Sequence, residues 1–165
     1  QIAIDPGLPK EKHMRWAALL RHQAPEEAVA ILRQLKLDND TISKAKTLVQ
    51  WWKRPIGADQ TQIRKTMSQM APELYDDLLV LKTSVGELEL QAEGCVEDLD
   101  WVKTQSREIR QRGDCVSLKE LAVTGADLIQ SGMKPGKELG ETLKRLLELV
   151  LEHPEWNTKE ILKKV

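Results

Sequence analysis

No stretch of this sequence approaches the roughly 20 apolar residues that a membrane-spanning helix needs. No basic region leads into a long apolar run at its start, Gln1-Ile2-Ala3-Ile4-Asp5-Pro6-Gly7, as a signal peptide would require. That start also lacks an initiator Met, so residue 1 reads as a cut inside a longer protein. A basic surplus is missing too: 25 Lys and Arg stand against 26 Asp and Glu, for a net charge of -1. Freestanding nucleic-acid binders usually carry such a surplus. Contact with nucleic acid would therefore have to come from a local patch, from helix ends or from a partner domain. Cysteine is limited to Cys95 and Cys115, neither in a CxxC pair, which excludes a disulfide framework or a structural zinc site. Reduced thiols in or near a core are expected, and with them a cytoplasmic home. Histidine occurs three times, as His13, His22 and His153. An open catalytic metal site normally takes at least three converging protein ligands, and these spacings offer none. No Ser/His/Asp or Cys/His arrangement has supporting context. No glycine-rich phosphate loop follows a strand, because no segment of useful length alternates with period two. The chain offers no catalytic residues and no metal ligands, and it shows no internal repeat.

What is present is helical periodicity on a soluble background of 41% hydrophobic and 31% charged residues, long enough to bury a core without disulfides or metals. Trp16, Ala17, Leu19 and Leu20 form a first apolar face. Pro25 with Glu26 and Glu27 restarts a helix carrying Ala28, Ile31, Leu32 and Leu35. Asp38-Asn39-Asp40 offers N-caps for a stripe of Ile42, Ala45, Leu48, Val49 and Trp52. Pro55 and Gly57 break the chain, and Asp59 can cap a helix with Ile63, Met67 and Met70. Pro72 opens the longest candidate. Its Leu74, Leu78, Leu81, Val85 and Leu88 form a coiled-coil-like seam, weakened at Gly86 by about 1 kcal/mol relative to Ala. Gly94 is expected to end or kink that helix. Val96, Leu99, Val102 and Ile109 continue a thinner stripe on a charge-rich, exposed helix over residues 97–112.

Arg112-Gly113-Asp114 reads as a turn, and the texture changes after it. Short helices are separated by Gly125, Gly132, Pro135, Gly136 and Gly140. The clearest helix holds Leu139, Leu143, Leu146, Leu147, Val150 and Leu151 and ends near His153-Pro154. Asn157 is expected to cap a last short helix with Ile161 and Leu162. The fold class is all-α: a multi-helix bundle with a smaller C-terminal helical subdomain. The expected division is a helical body over 1–112 and a tail over 113–165.

Two stretches resemble one family. The run from Ile31-Leu32-Arg33-Gln34-Leu35 through Asp38-Asn39 to Leu48-Val49-Gln50-Trp51-Trp52 is similar to the segment after the degenerate HD region of bacterial CCA-adding tRNA nucleotidyltransferases. There, a helix ends in Leu-Arg-aromatic-Asp-Asn and another in Leu-Val-x-Trp-His. The run Leu121-Ala122-Val123-Thr124-Gly125-Ala126-Asp127-Leu128-Ile129, then Gly132-Met133-Lys134-Pro135-Gly136-Lys137-Glu138-Leu139-Gly140, resembles the same family's C-terminal signature, with its glycines and proline in register. Arg64 and Pro72-Glu73-Leu74 also fit, so the resemblance covers most of residues 14–162, thinly from about 83 to 112. There are departures. Leu19-Leu20 is followed by Arg21-His22-Gln23 rather than His-Asp, and Trp52 stands for the His of Trp-His. The loop between the first two helices is shortened. These differences argue against HD-type phosphohydrolase activity, the least favoured of the readings.

The resemblance implies a parent enzyme that adds CCA to tRNA 3′ ends. Its N-terminal catalytic domain, in the same polypeptide, would use Mg²⁺ and CTP or ATP. No cofactor is expected in this chain, whose role would be to hold tRNA so that its 3′ end reaches the active site. Poly(A) polymerases of related ancestry share the architecture. The candidate RNA contacts are Lys134, Gly136, Lys137, Arg145 and Thr124, because free N–H groups at a helix N-terminus and small residues let a phosphate approach. The same residues have structural readings. Gly132 can be a C-cap, Pro135 a first helical residue, Gly136 and Gly140 close helix crossings, and Thr124 an N-cap. At least two of Trp16, Trp51 and Trp52 are expected in the core. Trp101 and Trp156 could stack on a base or pack half-buried. A different class of reading is a helical interaction module, homodimeric through the Leu74–Leu88 seam.

Overall fold

The computed structural model describes residues 11–92 and 97–164, together with the side chains of that span other than those of residues 87, 88, 91 and 92. Nine α-helices and no strand occur among them, so the chain is all-α. Cys95, Gly94 and Val96 lie outside the described residues, as does the side chain of Leu88.

The helices are α1 (Lys12–Leu20), α2 (Pro25–Gln34), α3 (Asn39–Trp52), α4 (Gln60–Ser68), α5 (Pro72–Ala92), α6 (Leu99–Arg112), α7 (Gly125–Gln130), α8 (Lys137–Glu152) and α9 (Lys159–Leu162), with 3-10 turns at Leu118–Glu120 and Pro154–Trp156. They fall into two compact units. The first takes 1–58 and 70–103, the second 59–69 and 104–165. The sequence-based boundary at 112 follows the end of a helix. By packing, α4 and residues 104–112 group with the C-terminal residues instead, because α4 packs on α8.

In the first unit α3 is the central helix, packed by α1, α2 and α5. Its stripe of Ile42, Ala45, Leu48, Val49 and Trp52 is buried as the periodicity predicts. Asp38 caps it by accepting from Thr41 N at 2.9 Å, and that hydrogen bond holds the Asp38 carboxyl below its ordinary value. The inward face of α1 is Met14, Ala17 and Leu20, whereas Leu19 is 45% exposed. His13 and Arg21 of α1 both reach α5. His13 Nε2 lies 2.6 Å from Asp77 Oδ2, and Arg21 Nε donates to Glu89 Oε2 at 3.2 Å. At least two of Trp16, Trp51 and Trp52 are expected in the core, but only Trp52 is fully buried; Trp16 and Trp51 are half-buried.

The helix α5 differs from a coiled-coil seam. Leu74, Leu78 and Leu81 are buried within the chain, as are Tyr75, Leu79 and Lys82 on the adjoining face. Burial is thus wider than the two positions per heptad a seam uses, and Leu74, Leu78 and Leu81 of the row that suggested a dimer are spent on this unit's own core, while Val85 is half-buried. The helical geometry breaks at Gly86. A Cβ there would stand 3.0 Å from the Trp52 ring, so glycine permits the close approach.

A buried charge pair closes the first unit. Lys82 is fully buried and donates to Arg54 O at 2.6 Å, with Glu97 Oε2 at 3.6 Å. Glu97 Oε1 accepts from Ile56 N at 2.6 Å and Gly57 N at 2.9 Å. The Lys–Glu pair therefore satisfies the backbone of the turn at Pro55 and Gly57, which would otherwise bury unpaired groups at a cost of about 1–3 kcal/mol each.

In the second unit, Cys115, Leu121, Val123, Leu128, Leu146, Val150 and Leu162 form the core. Burial pushes the Cys115 thiol up from its ordinary value, and its Sγ donates to Ser117 O at 3.3 Å. Arg64, 5% exposed, donates from Nε to Leu151 O at the C-terminal end of α8, 2.8 Å away. That position favours a cation, since the last carbonyls lack helical donors. Its Nη1 reaches Asp114 Oδ2 at 3.4 Å, and Arg112 Nη2 reaches the same oxygen at 2.8 Å. Gly113, at φ 71°, ends α6 with paired bonds from Gly113 N to Arg110 O and from Asp114 N to Ile109 O, and so delivers Asp114 between the two arginines.

Asn157 does not cap α9. Thr158 does, accepting from Ile161 N at 3.4 Å. Asn157 Oδ1 instead accepts from Ala122 N at 2.7 Å, and its Nδ2 donates to Glu120 O at 3.0 Å. These bonds tie the segment after α8 to the strap that leads into α7.

Candidate nucleic-acid interface

The Gly132–Gly136 loop is built by two glycine conformations. Gly132, at φ 100°, follows α7, with Gly132 N donating to Ile129 O and Met133 N to Leu128 O. This pairing is the Schellman helix stop, and it fits the C-cap reading. Gly136 is the N-cap of α8 at φ 154°, ψ -162°, a region open essentially to glycine alone. A Cβ at Gly136 or Gly140 would meet nothing within 4 Å, so neither marks a close helix crossing. The close approach is at Gly125, where a Cβ would stand 3.4 Å from Leu139 Cδ2 as α7 meets α8.

Thr124 N-caps α7 in a capping box. Its hydroxyl donates to Asp127 Oδ2 at 2.7 Å, and its N–H donates to the same oxygen at 2.9 Å. Lys159 Nζ donates to Asp127 Oδ1 at 2.9 Å. Together these donors hold the Asp127 carboxyl far below its ordinary range, the Thr124 hydroxyl contributing most. Lys134 is exposed and makes no ion pair among the described residues, while Lys137 Nζ lies 3.6 Å from Glu141 Oε1.

Beside this loop lies an open groove of about 540 Å³, bounded by the end of α7, the face of α8 and the end of α9. Its floor is apolar: Leu128, Met133, Leu146, Leu149 and Leu162. Its rim carries Ser131, Thr142, Arg145 and Lys163. No carboxylate lines it, so the two cations set the sign of the local field. Neither Arg145 nor Lys163 makes an ion pair among the described residues. The groove thus brings one sequence candidate, Arg145, together with Lys163, which sequence reasoning missed. Thr124, Lys134, Gly136 and Lys137 do not line it. The one local signal for Lys163 was the basic pair Lys163-Lys164 directly after Ile161-Leu162.

Charge divides unevenly between the units. The second holds 13 Lys and Arg against 11 Asp and Glu, the first 12 against 15. The near-neutral total therefore conceals a mildly basic C-terminal unit. Other polar clusters lack metal-site character. His22 Nε2 lies 2.7 Å from Glu89 Oε1, and His153 stacks on Trp156 with ring centroids 4.1 Å apart. No group of three or more His, Cys, Asp or Glu side chains is placed to hold a metal among the described residues. No described helix is long and apolar enough to cross a membrane.

No curated protein and no solved structure gives a match to this chain. The family model of tRNA nucleotidyltransferase domain 2 matches residues 9–165, taking in both units' helices and the Gly132–Gly140 motif. With an all-helical scaffold and that match over nearly its whole length, the chain belongs to the tRNA nucleotidyltransferase family, as a member of its domain 2 group.

Proposed function

We propose that this chain is the tRNA-holding part of a nucleotidyltransferase that adds CCA to tRNA 3′ ends. The observation that carries the reading is the family match over residues 9–165. The mildly basic second unit and its carboxylate-free groove support it. Holding contributes to rate by fixing the 3′ end relative to the reacting groups. The contacts expected are to backbone and shape, as suits a protein that accepts many tRNAs. Lys134, Arg145 and Lys163 are the cations proposed to meet phosphate. Gly136 and Lys137 lie at the α8 N-terminus, where free N–H groups add to the same field. Thr124 serves that surface by fixing α7.

The catalytic step, with its Mg²⁺ and CTP or ATP, is assigned in this proposal to an N-terminal domain of the same polypeptide, working in the cytoplasm. The described residues of this chain do not cluster carboxylates in a way that fits Mg²⁺. The test is binding of the purified chain to a tRNA transcript across a salt titration. Salt-sensitive binding is expected because phosphate contacts release counterions. Absence of binding at low salt would sink the proposal.

A further inference from the structure

The geometry points to the α7–α8–α9 groove as a pocket for one unstacked nucleotide of the bound RNA, its base on the apolar floor and its phosphates at Arg145 and Lys163. This inference rests on the tRNA-holding reading and goes beyond it, because holding an RNA by its backbone requires no pocket at all. Three features of the groove need an occupant of mixed character. Its open floor is Met133 and Leu149, both half-buried, beside Leu162 of the closed core. A flat base can lie on such a floor, and the polarizable thioether of Met133 suits a π face. The rim cations are paired with no carboxylate among the described residues, and none lines the groove, so the rim favours an occupant that brings negative charge. Thr142 adds a hydroxyl able to donate or accept at a base edge or a ribose hydroxyl, and Ser131 Oγ, which donates to Asp127 O at 3.0 Å, can accept there. The volume of about 540 Å³ falls in the range of small-molecule sites, roughly 300–1,000 Å³. A duplex backbone would meet the rim cations alone and leave the floor empty. An unpaired, splayed nucleotide satisfies both, and single-stranded positions are where proteins read RNA bases.

The test uses the 165-residue chain with ¹³C-labelled methyl groups. Adenosine 5′-monophosphate should move the methyl signals of Met133, Leu149 and Leu162 saturably, whereas inorganic phosphate at equal concentration leaves them in place. Neutralising the rim with Arg145→Gln and Lys163→Gln should weaken that response at least tenfold. An RNA hairpin with one bulged nucleotide should bind at least tenfold more tightly than its fully paired counterpart. Thr142→Trp, which fills the groove from its rim, should erase that difference. Equal affinity for the two hairpins with silent groove methyls overturns the pocket and leaves the tRNA reading standing. Methyl shifts produced by an acidic amphipathic peptide and not by the nucleotide overturn it in favour of a protein partner. Binding of neither hairpin at low salt overturns both readings together.

Discussion

If the basic rim meets phosphate, the salt dependence of tRNA binding should report it residue by residue. The three proposed cations are Arg145 and Lys163 on the groove rim and Lys134 on the loop beside it, none of them neutralised by a carboxylate among the described residues. Each phosphate contact in a duplex contributes about 0.9 to the slope of log affinity against log salt, so three give a slope near -2.7. Between 50 and 200 mM salt that is a loss of about 40-fold in affinity. Arg145→Gln should flatten the slope by about 0.9, and Arg145→Gln with Lys163→Gln by about 1.8. The control is Lys65→Gln, which removes the same formal charge from the same unit. Lys65 Nζ already lies 2.7 Å from Glu152 Oε1 and holds that carboxyl below its ordinary value, so its loss should leave the slope nearly unchanged. The assay is filter binding of a tRNA transcript at five or more salt concentrations. An equal change from Lys65→Gln and Arg145→Gln would refute the reasoning, because net charge rather than a located rim would then set affinity. A slope untouched by the double variant, with binding retained, would move the interface away from the groove.

Four further outcomes follow from the packing. Lys36 sits at φ 54° after α2, with Lys36 N donating to Arg33 O and Leu37 N to Leu32 O, so it occupies the place glycine favours. Lys36→Gly should stabilise by about 1 kcal/mol, raising Tm by about 2–4 °C in calorimetry, while Lys36→Ala should not. Arg64→Leu should cost about 1–3 kcal/mol in urea denaturation, since Leu151 O loses its donor while Asp114, 8% exposed, keeps Arg112. Thr124→Ala should raise the Asp127 carboxyl toward its ordinary 3.8 in a ¹³C titration. The sign follows from the depressed value: the folded state favours the charged carboxylate, so its contribution is full above the ordinary 3.8 and is lost progressively as pH falls from there through the depressed value. Removing the Thr124 hydroxyl, with the backbone N–H and Lys159 still donating, should shrink that contribution and narrow the acid range over which it is lost. Finally, Leu81→Glu should abolish the cooperative unfolding of the first unit, because Leu81 is fully buried within the chain. In the dimer reading the same variant would yield a folded monomer, which circular dichroism and sedimentation would reveal.

Local signals in the sequence were legible where the partner lies within one helical turn. Asp38 and Asp59 cap α3 and α4 because an N-cap needs only the N–H groups two or three residues ahead. Pro25 opens α2 and the α3 stripe is buried for reasons equally local. Asn157 carries the same capping chemistry, yet its side chain bonds to Ala122 N and Glu120 O, more than thirty residues earlier in the chain. The cap moved to Thr158 because a distant strap claimed the nearer candidate. Gly86 was expected only to weaken a helix. What decides the kink there is the Trp52 ring, brought to its Cα from another helix. Charged residues were the least legible. Glu97 opens a stretch that reads as solvated, yet its carboxylate bonds to two backbone N–H groups across the turn at Gly57. Lys82 stands between Leu81 and Thr83 on α5 with nothing in its own helix to announce burial.

The same distinction explains how much of the candidate site could be read. Lys134, Gly136 and Lys137 stood out because they share one short motif, and that motif's glycines do have a structural task. Gly132 stops α7 and Gly136 admits a backbone geometry that starts α8. The motif therefore shapes one wall, and the groove itself is assembled from three separated segments. Arg145 comes from the second turn past the motif, Ser131 and Met133 from the end of α7, and Leu162 and Lys163 from the last helix. Lys163 reaches that rim only because Leu162, 2% exposed, is anchored in the core with Leu146 and Val150. A basic residue next to a buried leucine has no signature of its own. The position becomes informative once the fold shows which other cation shares its groove, and why no carboxylate answers either of them.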